Sequence, residues 1–193
     1  GTESLPGCIR DSAPDAWGRR VILNKLLGVK GASADPGDLS ELTYLMESGS
    51  DRIGALDFQA SPSEYRPRES GNASLEELQQ SAALVEKGVP LSPELLIEGD
   101  GRNFIAKFSS STDIYNMIKA EFVAMRLARL CGLDVASVEL TEAAGKDVLL
   151  IERFDREQQN GAWARKLMLS ALTLLNLDEM TARYASYQDL AEL

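Results

Sequence analysis

The sequence contains no histidine and only two cysteines, Cys8 and Cys131. Without histidine, Ser-His-Asp and Cys-His relays and imidazole ligation of a metal are excluded together. Two isolated cysteines with no CxxC spacing make no Cys/His zinc site, and they are read as small core hydrophobes in a reducing cytoplasm. Aromatic residues are sparse at 6%, and no apolar run approaches the roughly 18 residues that a membrane span requires. No signal peptide opens the chain, which starts Gly1-Thr2-Glu3 and is expected to be a processed chain or a fragment. Positive charge is also in short supply: 20 Lys+Arg against 30 Asp+Glu leave a net charge of -10. That balance lacks the basic surface from which affinity for phosphate backbones arises, so direct nucleic-acid binding is not expected. Any chemistry must rest on carboxylates, lysines, hydroxyls or a bound nucleotide.

What is present is apolar mass. Hydrophobic residues make up 44% of 193 positions, enough for one sizeable core or two small ones. Asp11 and Ser12 are capping candidates for a helix running from about Pro14 to Gly28. Asp11 and Asp15 are read as charges favouring that helix's N-terminus rather than as a catalytic pair. A second short helix spans 39–47, and 53–58 (IGALDF) reads as a strand. After a proline-containing loop over 60–74, Ser74-x-x-Glu77 forms a capping box for a helix ending at Gly88. Residues 96–98 and 103–108 make a β-hairpin around Gly99-Asp100-Gly101. The hydroxyl-rich 109–113 caps a helix over about 114–131, and Gly132 stops it. Two strands follow at about 137–142 and 147–153, then a helix over 163–175 in which Trp163 and the succeeding leucines are core. The tail ends on a helical pattern.

The run FIAKFSS (104–110) places a single lysine, Lys107, inside an apolar strand, where an unpaired ammonium is costly. On the next helix, Glu121 shares a face with Met117, Ile118, Ala124 and Met125. The two are therefore expected to pair, although spacing alone leaves open a snorkelling lysine and a partly wet glutamate. A strand lysine held by a helix glutamate is the arrangement by which kinases aim positive charge at nucleotide phosphates. Arg19-Arg20 reads as an ion-pairing surface, and Ser109, Ser110, Ser111 and Thr112 as loop and cap rather than phosphoacceptors.

The blocks FIAKFSSSTDIYNMIKAEFVAMRLARLCGLDVASVEL and VLLIERFDRE resemble the HipA family of bacterial toxin Ser/Thr kinases, and GCIRDSAPDAWGRR, DRIGALDF and SALTLLNLDEMTARYASYQDLAEL resemble further segments of it, in order. The resemblance implies an α+β fold with a kinase-like N-lobe, a small antiparallel sheet plus helix. It is preceded by a helical N-terminal part and followed by the start of a helical C-lobe. The implied boundaries are 1–94, 95–155 and 156–193. It also implies ATP and Mg2+ as cofactors, Lys107 on the ATP phosphates with Glu121 as its partner, and Glu152, Arg153 and Phe154 at the hinge beside adenine. The catalytic loop and metal-binding aspartate are expected beyond Leu193, so these residues alone are expected to be inactive. The family's phosphate loop, implied near Leu95–Leu96, is missing, and is expected to be either deleted or, the favoured reading, left out of these residues. Implied partners are a small DNA-binding, HipB-like antitoxin and a protein substrate such as an aminoacyl-tRNA synthetase, in the cytoplasm. The alternative is a catalytically inactive HipA-like fragment that binds an antitoxin or other partner.

Overall fold

Pro14 has no N–H with which to prolong a helix, and the chain breaks there into two. The computed structural model describes residues 5–28, 35–67, 94–99, 102–109 and 113–193. Within them, α1 (Gly7–Asp11) ends before Pro14, and α2 (Ala16–Leu27) begins after it. Asp15 caps α2, its Oδ1 accepting the Gly18 N–H at 2.7 Å, and Gly28 closes it in the left-handed region at φ 67°. Ser40 caps α3 (Glu41–Glu47) in the same way. Ile22 and Leu23 of α2 pack on Tyr44 of α3 with Leu39 beside them, making one small core. The Arg19 guanidinium covers the Tyr44 ring and clasps both carboxylate oxygens of Glu41 at 2.6 Å.

The second core lies on a four-stranded antiparallel sheet of order β1-β2-β4-β3, formed by β1 (Glu94–Gly99), β2 (Arg102–Phe108), β3 (Val138–Ala143) and β4 (Lys146–Glu152). Successive strand residues face opposite sides. Ala106 and Phe108 accordingly turn to one side with Ala143 and Val148, against Leu150. The opposite side, carrying Lys107 and its register partner Leu149, receives α4 (Met117–Leu130), which packs on β3 and β4. Beyond β4 come a two-stranded hairpin, β5 (Arg156–Gln159) and β6 (Ala162–Arg165), then α5 (Ala171–Leu174) and α6 (Tyr187–Ala191). Ser186 and Asp189 close a capping box on α6. No helix among the described residues is long and apolar enough to cross a membrane.

Several expectations give way to local chemistry. Residues 53–58 form no strand, because the backbone groups that a ladder would use are taken by side chains: Gly54 N–H by Asp155, and the Arg52 and Gly54 carbonyls by Arg153 and Arg156. The expected helix over 163–175 divides into β6, an extended link and the short α5. Its leucines are not core either, since Leu167, Leu169 and Leu174 are exposed and Trp163 is only half-buried. Asn160 and Gly161, at φ 53° and 80°, supply the two-residue turn that commits this stretch to a hairpin. Asn116 caps α4, not the 109–113 loop. Asp11 sits at the end of α1 rather than ahead of α2. Cys8 and Cys131 are both exposed, on α1 and at the end of α4, so neither is a core hydrophobe. β1 runs through Leu95 and Leu96 in register with Ala106 and Ile105. The expected helix over 75–88, the Gly99-Asp100-Gly101 turn and Ser110–Thr112 lie outside the fully described residues.

Candidate functional site

Lys107 stands on β2 between Ala106 and Phe108, both buried on the far side of the sheet. Strand alternation therefore sends the lysine towards α4. Ile118 is the buried residue of that helix, and Glu121 follows one turn later on the same face. The Lys107 Nζ donates to Glu121 Oε1 at 2.9 Å, with the two side chains 24% and 38% exposed. The pair is thus partly dried but open to solvent. It can present a fixed positive charge to an anion without the cost of a fully buried ion.

Both ends of α4 are tied to the sheet, which fixes where Glu121 stands. At the start, Asn116 Oδ1 accepts the Lys119 N–H at 2.8 Å, while Asn116 Nδ2 and Lys119 Nζ both donate to Asp147 Oδ2 on β4. Those hydrogen bonds, from Lys119 first and then Asn116, hold the Asp147 carboxyl below its ordinary range. At the end, Arg129 donates to the Val135 carbonyl and Ser137 Oγ, just ahead of β3. A polar depression of about 500 Å³ lies against this region, lined by Ser109, Asn116, Lys119, Glu142, Gly145, Lys146 and Asp147.

The other expected site residues lie at the β4 exit. Glu152 lies opposite Phe104 in the β2–β4 ladder, on the strand face away from Lys107, and reaches to 3.9 Å from Arg102. Phe154, at the strand exit, is 59% exposed. The Arg153 side chain is fully buried and belongs to a second cluster that the sequence reading missed. Its Nε and Nη2 donate to the two carboxylate oxygens of Asp155 at 3.0 and 2.9 Å, and its Nη1 to Asp51 at 2.9 Å. Arg156 donates to the same two acids, at 2.8 Å each. Asp155 also accepts the Gly54 N–H at 2.7 Å, and the Arg52 carbonyl accepts from both arginines. Burial alone would raise the Asp155 carboxyl, but hydrogen bonds from Arg153 and Gly54 and the two guanidinium charges outweigh it and hold the group below its ordinary value. The signal available in the sequence was the pair of charge-matched segments, SDRIG and RFDRE. Among the described residues no group of three or more Asp, Glu or Cys side chains is placed to hold a metal ion.

Comparison with known proteins gives this geometry a lineage. A family model described as "HipA-like C-terminal domain" matches residues 75–193, well over half of the chain. The chain belongs to this HipA-like family. Among solved structures, it is similar to a chain of the Shewanella oneidensis MR-1 toxin–antitoxin complex of HipA, HipB and operator DNA, with a TM-score of 0.65 and 19% identity. That match covers 100% of this chain and 50% of the Shewanella one, so the chain spans about half of that relative's length. At such identity the likeness speaks for the fold of the HipA-like chain, helices with a small antiparallel sheet. No curated protein matches it by sequence.

Proposed function

We propose that this chain is the nucleotide-binding half of a HipA-type Ser/Thr protein kinase, the toxin of a toxin–antitoxin pair. The observation that carries this reading is the Lys107–Glu121 ion pair at 2.9 Å, on the strand and helix of a HipA-like domain. Phosphoryl transfer needs positive charge fixed on the nucleotide phosphates, and a flexible lysine supplies it only when something restrains its stem and head. The strand restrains the stem here, and Glu121 restrains the head. ATP fits the partly exposed ammonium. Mg2+ would accompany the phosphates, its protein ligands coming from outside the described residues. A HipB-like antitoxin is the partner that the Shewanella complex suggests, and a protein such as an aminoacyl-tRNA synthetase is the substrate class that the family resemblance suggests.

The reading is tested on the intact protein with γ-labelled ATP and Mg2+, comparing wild type with Lys107→Ala. Wild type should incorporate phosphate, and the variant should lose at least about 100-fold in rate, the scale of removing one preorganised charge from a transition state. Equal incorporation by both would remove Lys107 from the mechanism. A folded Lys107→Ala protein that still binds the antitoxin would separate phosphate transfer from partner binding.

A further inference from the structure

The buried cluster at the β4 exit has a consequence for how a nucleotide would be recognised. Phe154 lies between Arg153 and Asp155, and both of these neighbours are pinned. The backbone N–H groups before it are already used: Glu152 N–H by the Ser137 carbonyl at 2.8 Å, and Arg153 N–H by the Asn103 carbonyl at 2.8 Å. The Asp155 carbonyl accepts the Lys166 N–H at 2.9 Å, closing the far side. Among the described residues, the Phe154 N–H has no partner. A single exposed residue thus carries an open backbone donor, while the chain on either side is bolted to the 51–54 segment. A planar heterocycle with a ring-nitrogen acceptor, laid beside the exposed Phe154 ring, is the ligand chemistry such a point fits.

We infer that Asp51 and Asp155 are positioning residues for the nucleobase: through Arg153 and Arg156 they fix the Phe154 backbone at which the base is read. The inference rests on the nucleotide-binding reading above and adds base selectivity to it. The division of labour is spatial. Lys107 and Glu121 act on phosphates, which every nucleoside triphosphate carries alike. The Asp51/Asp155 cluster acts where ATP and GTP differ, in the donor and acceptor pattern of the ring. Loosening the cluster should therefore erode discrimination between bases, which a general loss of stability would not do.

The test is calorimetric titration of the intact protein with ATP and with GTP, both with Mg2+. Asp155→Asn is the direct variant, but it leaves two buried guanidiniums short of a charge and puts the fold itself at stake. Asp51→Asn acts on the same arginines from the half-exposed side and carries the test in either event. Wild type should prefer ATP. Asp51→Asn should weaken ATP about tenfold and GTP by much less, so that the preference narrows. Asp51→Glu, which keeps the carboxylate, should retain most of it. A folded Asp51→Asn protein with an unchanged ATP-to-GTP ratio, or with both weakened in equal proportion, overturns the inference and leaves nucleotide binding standing. A wild-type protein that binds neither nucleotide overturns the nucleotide reading, and this inference with it.

Discussion

Lys107 and Arg153 are both strand-associated cations paired with carboxylates, and they differ in how much water reaches them. The Lys107–Glu121 pair is 24% and 38% exposed, a regime in which an ion pair contributes about 0–1 kcal/mol to stability. Its value is geometric. Arg153, Asp155 and Arg156 have side chains 0%, 1% and 4% exposed, and removing one partner from such a set costs about 3–5 kcal/mol. Asp155 also carries a pH dependence whose sign follows from its environment. Arg153, Arg156 and the Gly54 N–H face its carboxyl, with Asp51 across the two arginines, and its folded value lies below its unfolded one of about 3.9. The stabilisation is therefore complete above the unfolded value and is lost as pH falls through the lower, folded one. Denaturant unfolding of wild type and Asp155→Asn should differ by about 3–5 kcal/mol at pH 7, and the gap should begin to narrow below about pH 4. A gap that stayed constant down to pH 3 would show that the Asp155 charge is not what the arginines require.

At the level of elements, the contact of α1 with α5 shows how closely short helices can be fitted. Asp11, at the end of α1, accepts both the Ser170 N–H and the Ser170 hydroxyl at 2.7 Å, while Ser170 itself caps α5. Beside this junction, a Cβ on Gly7 would stand 2.6 Å from both Thr173 Cγ2 and Oγ1. Gly7→Ala should thus destabilise the protein by about 1–3 kcal/mol in a thermal or urea melt, the scale of overpacking. Adding Thr173→Ala removes the two closest atoms and should recover most of that loss; no recovery would place the strain elsewhere. Elements governed by neighbours in sequence were legible before the fold was known: Gly28 after α2, a short helix within 39–47, the β1–β2 hairpin, and the strands β3 and β4. The Lys107–Glu121 pairing was legible only in part: strand alternation and helix spacing turn the two side chains towards each other, but spacing alone also allowed a snorkelling lysine and a partly wet glutamate, and the 2.9 Å contact is what decides between them. The β5–β6 hairpin was lost because the leucine spacing after Trp163 outweighed Asn160-Gly161, the stronger local signal. The Asp155 cluster was beyond local reasoning, since its partners Asp51, Arg52 and Gly54 lie roughly a hundred residues away in sequence.

On the scale of the molecule, the N-terminal residues are structural partners of the segment beyond β4. Two separate junctions join them. One links Asp51–Gly54 to Arg153, Asp155 and Arg156, with Gly54, at φ 79°, lying where a Cβ would meet the Met168 backbone at 3.4 Å. The other links Arg10 and Asp11 to Ser170, Thr173 and the Leu177 carbonyl. Deleting residues 1–67 removes both. The loss of Asp51 leaves two buried guanidiniums sharing one carboxylate, and the loss of the Gly54 N–H and of the Arg52 and Gly54 carbonyls strips hydrogen bonds from all three charged groups at once. A hydrogen bond to a buried charge is worth about 1.5–3 kcal/mol, and several such losses together approach the whole stability of a domain. A chain of residues 68–193, although it keeps the four-stranded sheet, α4 and the Lys107–Glu121 pair, should accordingly show collapsed amide dispersion in a 1H–15N spectrum and no cooperative melt, where the full chain shows both. A truncated protein with native-like dispersion would mean that the sheet and the segment after it hold together without the N-terminal brace, and that Arg153 and Arg156 find other partners when Asp51 is gone.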